Sequence, residues 1–61
     1  MPIVTMAMVE GRTVDEKREL AKRVTDDINE VCGIDKAAVT VRFEDMQKHD
    51  YAKGGQLFCD K

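Results

Sequence analysis

The chain opens on an unbroken apolar run. Ile3-Val4-Thr5-Met6-Ala7-Met8-Val9 carries no charge, and such a run predicts a strand covered on both faces, as in a parallel sheet. Glu10-Gly11-Arg12 ends it, with Gly11 marking a turn. The period then changes. Leu20, Val24, Ile28 and Val31 recur at helical spacing, flanked by Ala21 and Cys32, which predicts an amphipathic helix from Val14 to Cys32. Thr13 followed by Glu16 forms a capping box ahead of it. Asp15 and Glu16 suit the positive end of the helix dipole, and Gly33 supplies a left-handed stop. Lys17, Arg18, Lys22, Arg23, Asp26 and Asn29 fall to the solvent side on this reading.

After a short link, Ile34 to Ala37, the segment Ala38-Val39-Thr40-Val41-Arg42-Phe43 alternates with period two. Val39, Val41 and Phe43 share one face, and Thr40 and Arg42 share the other. Strand, helix and strand of these lengths make a right-handed βαβ unit with parallel strands. The polar tail from Glu44 to Lys61 contains Gly54-Gly55, and Tyr51 to Phe58 can close a small hairpin around that pair. The fold class is therefore α/β: one small βαβ domain over residues 1–61 with a C-terminal hairpin. One helix covers one face of a two-stranded sheet. The other face, either Ile3, Ala7 and Val9 or Val4, Met6 and Met8, needs a partner, so oligomerisation is expected to complete the sheet.

Composition adds limits. The 61 residues carry 10 Lys+Arg against 12 Asp+Glu, a net charge of −2, which argues against a nucleic-acid partner. A hydrophobic fraction of 43% is too high for a disordered tail. No apolar run approaches the roughly 20 residues that cross a bilayer, and no leader-like start is evident. A cytoplasmic protein without membrane association is the expectation. Domains of this size commonly need disulfides, a metal or oligomerisation. Cys32, Cys59 and His49 have no zinc-ligand spacing, and two cysteines allow one bridge at most. Oligomerisation remains.

Candidate chemistry begins at Pro2. A small second residue favours removal of Met1, which would leave a secondary amine at the head of a buried strand. Burial and nearby cations such as Arg12 disfavour the ammonium form and bring the amine toward the range where a base works best. Taken alone, Pro2 equally suits a strand-leading proline with no N–H to satisfy. Arg12 alone suits a solvated loop cation, and Tyr51 a hairpin core residue.

Met1-Pro2-Ile3-Val4, Val9-Glu10-Gly11-Arg12, the capping box with its single helix, the second strand and Tyr51 with Gly54-Gly55 together resemble the 4-oxalocrotonate tautomerase family over essentially the whole chain. The resemblance implies a βαβ subunit assembled as a homohexamer, with a dimer as the smaller option. It implies a keto–enol isomerase of aromatic catabolism, without metal or organic cofactor, acting on a small 2-oxo or 2-hydroxydienoate acid such as 2-hydroxymuconate. Pro2 matches the family's proton-shuttling proline and Arg12 its carboxylate-binding arginine. Tyr51 stands where an apolar ring, usually phenylalanine, walls the site.

One departure stands out. Thr40 occupies the place of a second arginine on the second strand. Arg42 lies two residues on, on the same face, and Lys53 sits in the hairpin; either can supply the missing cation, and Arg42 also suits a surface salt bridge. Val9 and Lys53 stand where dehalogenase relatives carry an arginine and a glutamate, which disfavours hydrolytic dehalogenation. A non-catalytic oligomeric binding or scaffold protein on the same fold is the alternative that Thr40 keeps open. Cys32 reads as a core residue at the end of the stripe, Cys59 as terminal, and His49-Asp50 as a solvated loop.

Overall fold

A computed structural model describes all residues, 1–61. Strand β1 spans Ile3–Val9 and helix α1 spans Val14–Cys32. A 3-10 turn at Lys36–Ala38 leads into β2, Thr40–Met46. The chain ends in β3 (Ala52–Lys53), β4 (Gln56–Leu57) and a last 3-10 turn, Phe58–Asp60. β1 and β2 are parallel, in a register that sets Ile3 opposite Thr40, Thr5 opposite Arg42 and Val9 opposite Met46. This is the expected βαβ unit with its hairpin.

The helix boundaries follow from local chemistry. Thr13 accepts from the Glu16 N–H at 3.1 Å while Glu16 accepts from the Thr13 N–H at 3.0 Å. Both bonds of the capping box are therefore made. At the other end Gly33 takes φ 69°, ψ 19°, and its N–H reaches the Asn29 carbonyl. The hairpin turn is equally local. Gly54 and Gly55 hold φ of 64° and 82°, the paired positive values that tight hairpins require, between the partners Lys53 and Gln56.

Packing differs from the simple stripe. The half-buried residues of α1 include Lys17, Ala21, Val24 and Ile28, whereas Cys32 is exposed. Leu20 is 38% and Val31 82% exposed. The helix is thus rotated so that Val31 and Cys32 turn away from its own sheet, which corrects the reading of Cys32 as a core residue. Lys17 and Asn29 correct their placement on the solvent side. Lys17 lays its stem over Phe43, its Nζ 5.9 Å from the ring centroid, and reaches Asp45 at 2.6 Å, as long cationic side chains do when their stems cover apolar surface. Asn29 donates to the Ile34 carbonyl at 2.7 Å and so closes the turn after the helix. β2 also starts later and runs further than its period-two segment suggests. Asp35 accepts the Ala37 N–H at 3.2 Å, which draws Lys36–Ala38 into a 3-10 turn rather than a strand.

The sheet places Val4, Met6, Met8, Val41 and Phe43 on the half-buried side. Ile3, Thr5, Ala7, Thr40, Arg42 and Glu44 form the other side, and every one of them is exposed. No residue of the single chain is fully buried. The radius of gyration is 14.8 Å, against about 10–11 Å for a compact domain of this length. We expect the protein in solution to be a homo-oligomer, because a lone chain has no interior. Sedimentation or light scattering should find no monomer at micromolar concentration; a stable monomer there would remove this expectation.

Candidate active site

Pro2 lies at the head of β1, half-buried, and its carbonyl accepts the Thr40 N–H at 3.0 Å. That bond joins the residue ahead of β1 to the start of β2, so Pro2 is held at the edge of the sheet. Thr40, next to it, is exposed on the side away from α1. Arg42 is on that same side, opposite Thr5, with its guanidinium 3.8 Å from Glu44 and 60% exposed. The bare sheet face therefore carries Thr40 at the end that Pro2 leads and Arg42 one residue short of mid-strand, whereas half-buried Pro2 continues the line of Val4, Met6 and Met8.

Arg12 is at the opposite end. The seven residues of β1 separate it from Pro2, a span of about 20 Å at strand rise. It sits on the link Gly11-Arg12-Thr13, where Gly11 takes φ 127°, a backbone conformation that favours glycine. Its Nη1 is 3.3 Å from Glu16 Oε2. The Thr13 N–H, then the Thr13 hydroxyl contact, hold the Glu16 carboxyl below its ordinary pKa, and the Arg12 charge adds to this. A groove of about 390 Å³ opens beside this pair, lined by Met8, Arg12, Glu16, Lys17, Glu19, Leu20 and Arg23. Pro2 is not among its walls.

Tyr51 and Lys53 are on the hairpin, which leaves the sheet from the Met46 end, the end of Val9 and Arg12. Tyr51 is half-buried. Its ring stacks on Phe58 with centroids 4.9 Å apart and an interplanar angle of 24°, an offset arrangement aromatic pairs prefer. Lys53 is exposed. Within one chain, then, Pro2 is at one end and Arg12 and the hairpin residues belong to the other, with Arg42 near mid-strand on the bare face.

A tautomerase-enzyme family model matches residues 2–61. The chain belongs to the tautomerase family. This tautomerase is 43% identical over 61 residues to a probable tautomerase of Bacillus cereus, covering 100% of both chains. It is 40% identical over 60 residues to the 2-hydroxymuconate tautomerase of Bacillus subtilis, covering 98% of this chain and 97% of the relative. A crystallised homologue of 4-oxalocrotonate tautomerase superposes with a TM-score of 0.94 at 33% identity, covering 100% of this chain and 97% of the other. The α/β fold with its hairpin is that of the family, and the tautomerase is an isomerase.

One contact at this site escaped the sequence reading. Arg12 and Glu16 are four residues apart, a spacing at which side chains meet along a helix, but Arg12 precedes the cap. Whether it folds back onto Glu16 depends on the Gly11 turn. No three His, Cys, Asp or Glu side chains converge on a common point that could hold a metal ion.

Proposed function

We propose that this tautomerase interconverts the enol and keto forms of a small 2-oxo or 2-hydroxydienoate acid such as 2-hydroxymuconate. The Pro2 nitrogen, freed by loss of Met1, is the proton shuttle. The carrying observation is the anchorage of Pro2 at the head of β1 through the Thr40 N–H at 3.0 Å. The bond engages the carbonyl and leaves the nitrogen, once Met1 is lost, free to use its lone pair. The substrate class draws support from the name of the Bacillus subtilis relative, 2-hydroxymuconate tautomerase.

The chemistry moves protons only. The amine takes the enol hydroxyl proton, and the O–H electron pair becomes the carbonyl π bond. The π electrons of the diene shift along the conjugated chain, and the ammonium returns the proton to carbon. Charge builds on the substrate oxygen in the dienolate, and a cation near it lowers the barrier. Arg42, two residues beyond Thr40 on the same face, or Lys53 fills that role where Thr40 offers no charge. Arg12 binds a substrate carboxylate, a task suited to a permanently charged, bidentate group. Tyr51 supplies an apolar wall that keeps the amine desolvated. No metal or organic cofactor is assigned.

A small acid cannot bridge about 20 Å, the strand length that separates Pro2 from Arg12 in one chain. The site is therefore shared: Pro2 comes from one copy, and Arg12 with Tyr51 and Lys53 from neighbouring copies. A homohexamer is the assembly we favour over a dimer, in the cytoplasm, with no nucleic-acid or membrane partner.

Protein beginning at Pro2 should ketonise 2-hydroxymuconate, whereas protein extended ahead of Pro2 should assemble alike and be nearly inactive, its nitrogen being an amide. In the processed form kcat/KM should rise as pH passes through the amine pKa, at a value well below that of an ordinary secondary amine. Equal activity of the two forms would end the proline mechanism, and inactivity of both would favour the scaffold alternative.

Arg12→Ala should lower kcat/KM by about one to two decades, since a hydrogen bond to a charged group contributes roughly 1.5–3 kcal/mol. An unchanged value in an intact assembly would take Arg12 out of the site. Mixing the extended chain with the Arg12→Ala chain, after dissociation and reassembly, should restore activity. The mixed oligomer contains sites with a free Pro2 from one copy and Arg12 from the other. No recovery in verified mixed oligomers would place both groups on the same chain.

A further inference from the structure

Glu16 makes two different bonds with its two oxygens. Oε1 accepts the Thr13 N–H at 3.0 Å, and Oε2 faces Arg12 Nη1 at 3.3 Å. The first is half of the capping box, so the carboxylate is restrained by the start of α1 rather than swinging freely. The second holds one edge of a guanidinium that hangs from a glycine-preceded link. A guanidinium has five N–H donors in a rigid fork. With Nη1 engaged, its remaining donors make no other side-chain bond. The same pair opens on the groove whose apolar members are Met8 and Leu20.

We infer that Glu16 is a positioning residue for substrate binding. The capping carboxylate orients the Arg12 guanidinium so that its unbound edge meets the substrate carboxylate. This inference rests on the reading of Arg12 as the carboxylate binder. Arg12 is 66% exposed, and a side chain so exposed would otherwise sample many directions before binding. Glu16 removes part of that freedom in advance, the general route by which preorganisation improves affinity. The acid is held ionised by Thr13 and Arg12, so the pin persists across the neutral range.

The test uses Glu16→Gln, because an amide oxygen can still accept the Thr13 N–H while the charge that holds Arg12 is gone. Two readings are taken in the processed, assembled enzyme: KM for 2-hydroxymuconate, and the Kd of adipate, a dicarboxylate that cannot tautomerise. Both should rise about two- to fivefold, the range of an exposed ion pair, with kcat changed less and the melting temperature preserved. In an Arg12→Ala background the same substitution should change neither constant. A purely structural cap would act in both backgrounds and lower the melting temperature, and that result would overturn the inference. So would tighter binding in Glu16→Gln, which would make Glu16 a competitor of the substrate. If Arg12→Ala weakens binding and Glu16→Gln does not, Glu16 positions nothing although the Arg12 reading stands. If Arg12→Ala itself has no effect on adipate, the carboxylate-binding role fails first, and the positioning role falls with it.

Discussion

A helix of 19 residues can cover one face of two strands and no more, and that limit governs the rest of the molecule. α1 lies over Val4, Met6, Met8, Val41 and Phe43 and brings none of them to full burial. Even its inward line includes a lysine, whose stem covers Phe43 while its charge leaves through Asp45. Beyond the helix, Ile3 remains 64% exposed on the bare face. The hairpin adds Leu57 and Phe58, 40% and 36% exposed, with only Tyr51 as an aromatic neighbour. Hydrophobic burial is the main favourable term in folding. A chain that completes so little of it alone fits the proposed assembly with copies of itself.

The same limit divides the proposed chemistry. Parallel strands start at the same end, so Pro2 and Thr40 meet there and are tied by a backbone bond. The crossover helix must start at the opposite end, and Arg12 goes with it because it immediately precedes the Thr13 cap. The hairpin follows β2 out of that far end as well. A base at one pole and a carboxylate binder at the other are thus consequences of βαβ topology. The subunit that is too small to bury its sheet is also too small to enclose its substrate. Assembly resolves both problems at the same surfaces, which makes activity and oligomerisation inseparable in the proposed mechanism.

Features set by nearest neighbours in the chain were legible from sequence. Thr13 with Glu16, Gly33, and Gly54-Gly55 each fix a backbone geometry within a few residues, and each is found as expected. Period two and period 3.6 separated strand from helix for the same reason. What escaped was set at a distance. The rotation of α1 depends on how Lys17, Ala21, Val24 and Ile28 meet the sheet, and Leu20 and Val31 carry no mark showing that they turn outward. Lys17 was assigned to solvent because charge alone gives no hint of Phe43 and Asp45, which lie far along the chain. The extension of β2 through Glu44, Asp45 and Met46 comes from pairing with Ala7, Met8 and Val9, not from the polar sequence of that stretch. Candidate residues could be named from the sequence, but their distribution along the strands needed the topology.

Charge pairing narrows which cations the proposed site can draw upon. Along α1 and its borders, Arg12, Arg18, Lys22 and Arg23 lie within salt-bridge distance of Glu16, Asp15, Asp26 and Glu19. Asp26 also holds Lys36, and its carboxyl is kept below the ordinary value by Lys36 first and Lys22 second. These charges are paired close to the helix, Arg12 through one nitrogen only, so its other donors remain for a carboxylate. Arg42 is held more loosely, its partner Glu44 lying 3.8 Å away, the longest of the Lys and Arg ion pairs. An exposed ion pair contributes at most about 1 kcal/mol, so an anion seated on the bare face can draw Arg42 away from Glu44 at small cost. Lys53 has no carboxylate partner within salt-bridge distance. On the proposed reading, Thr40 leaves the site to draw on loosely paired positive charge, from Arg42 or Lys53. Such a site is suited to following charge that appears on the substrate oxygen only as the proton leaves.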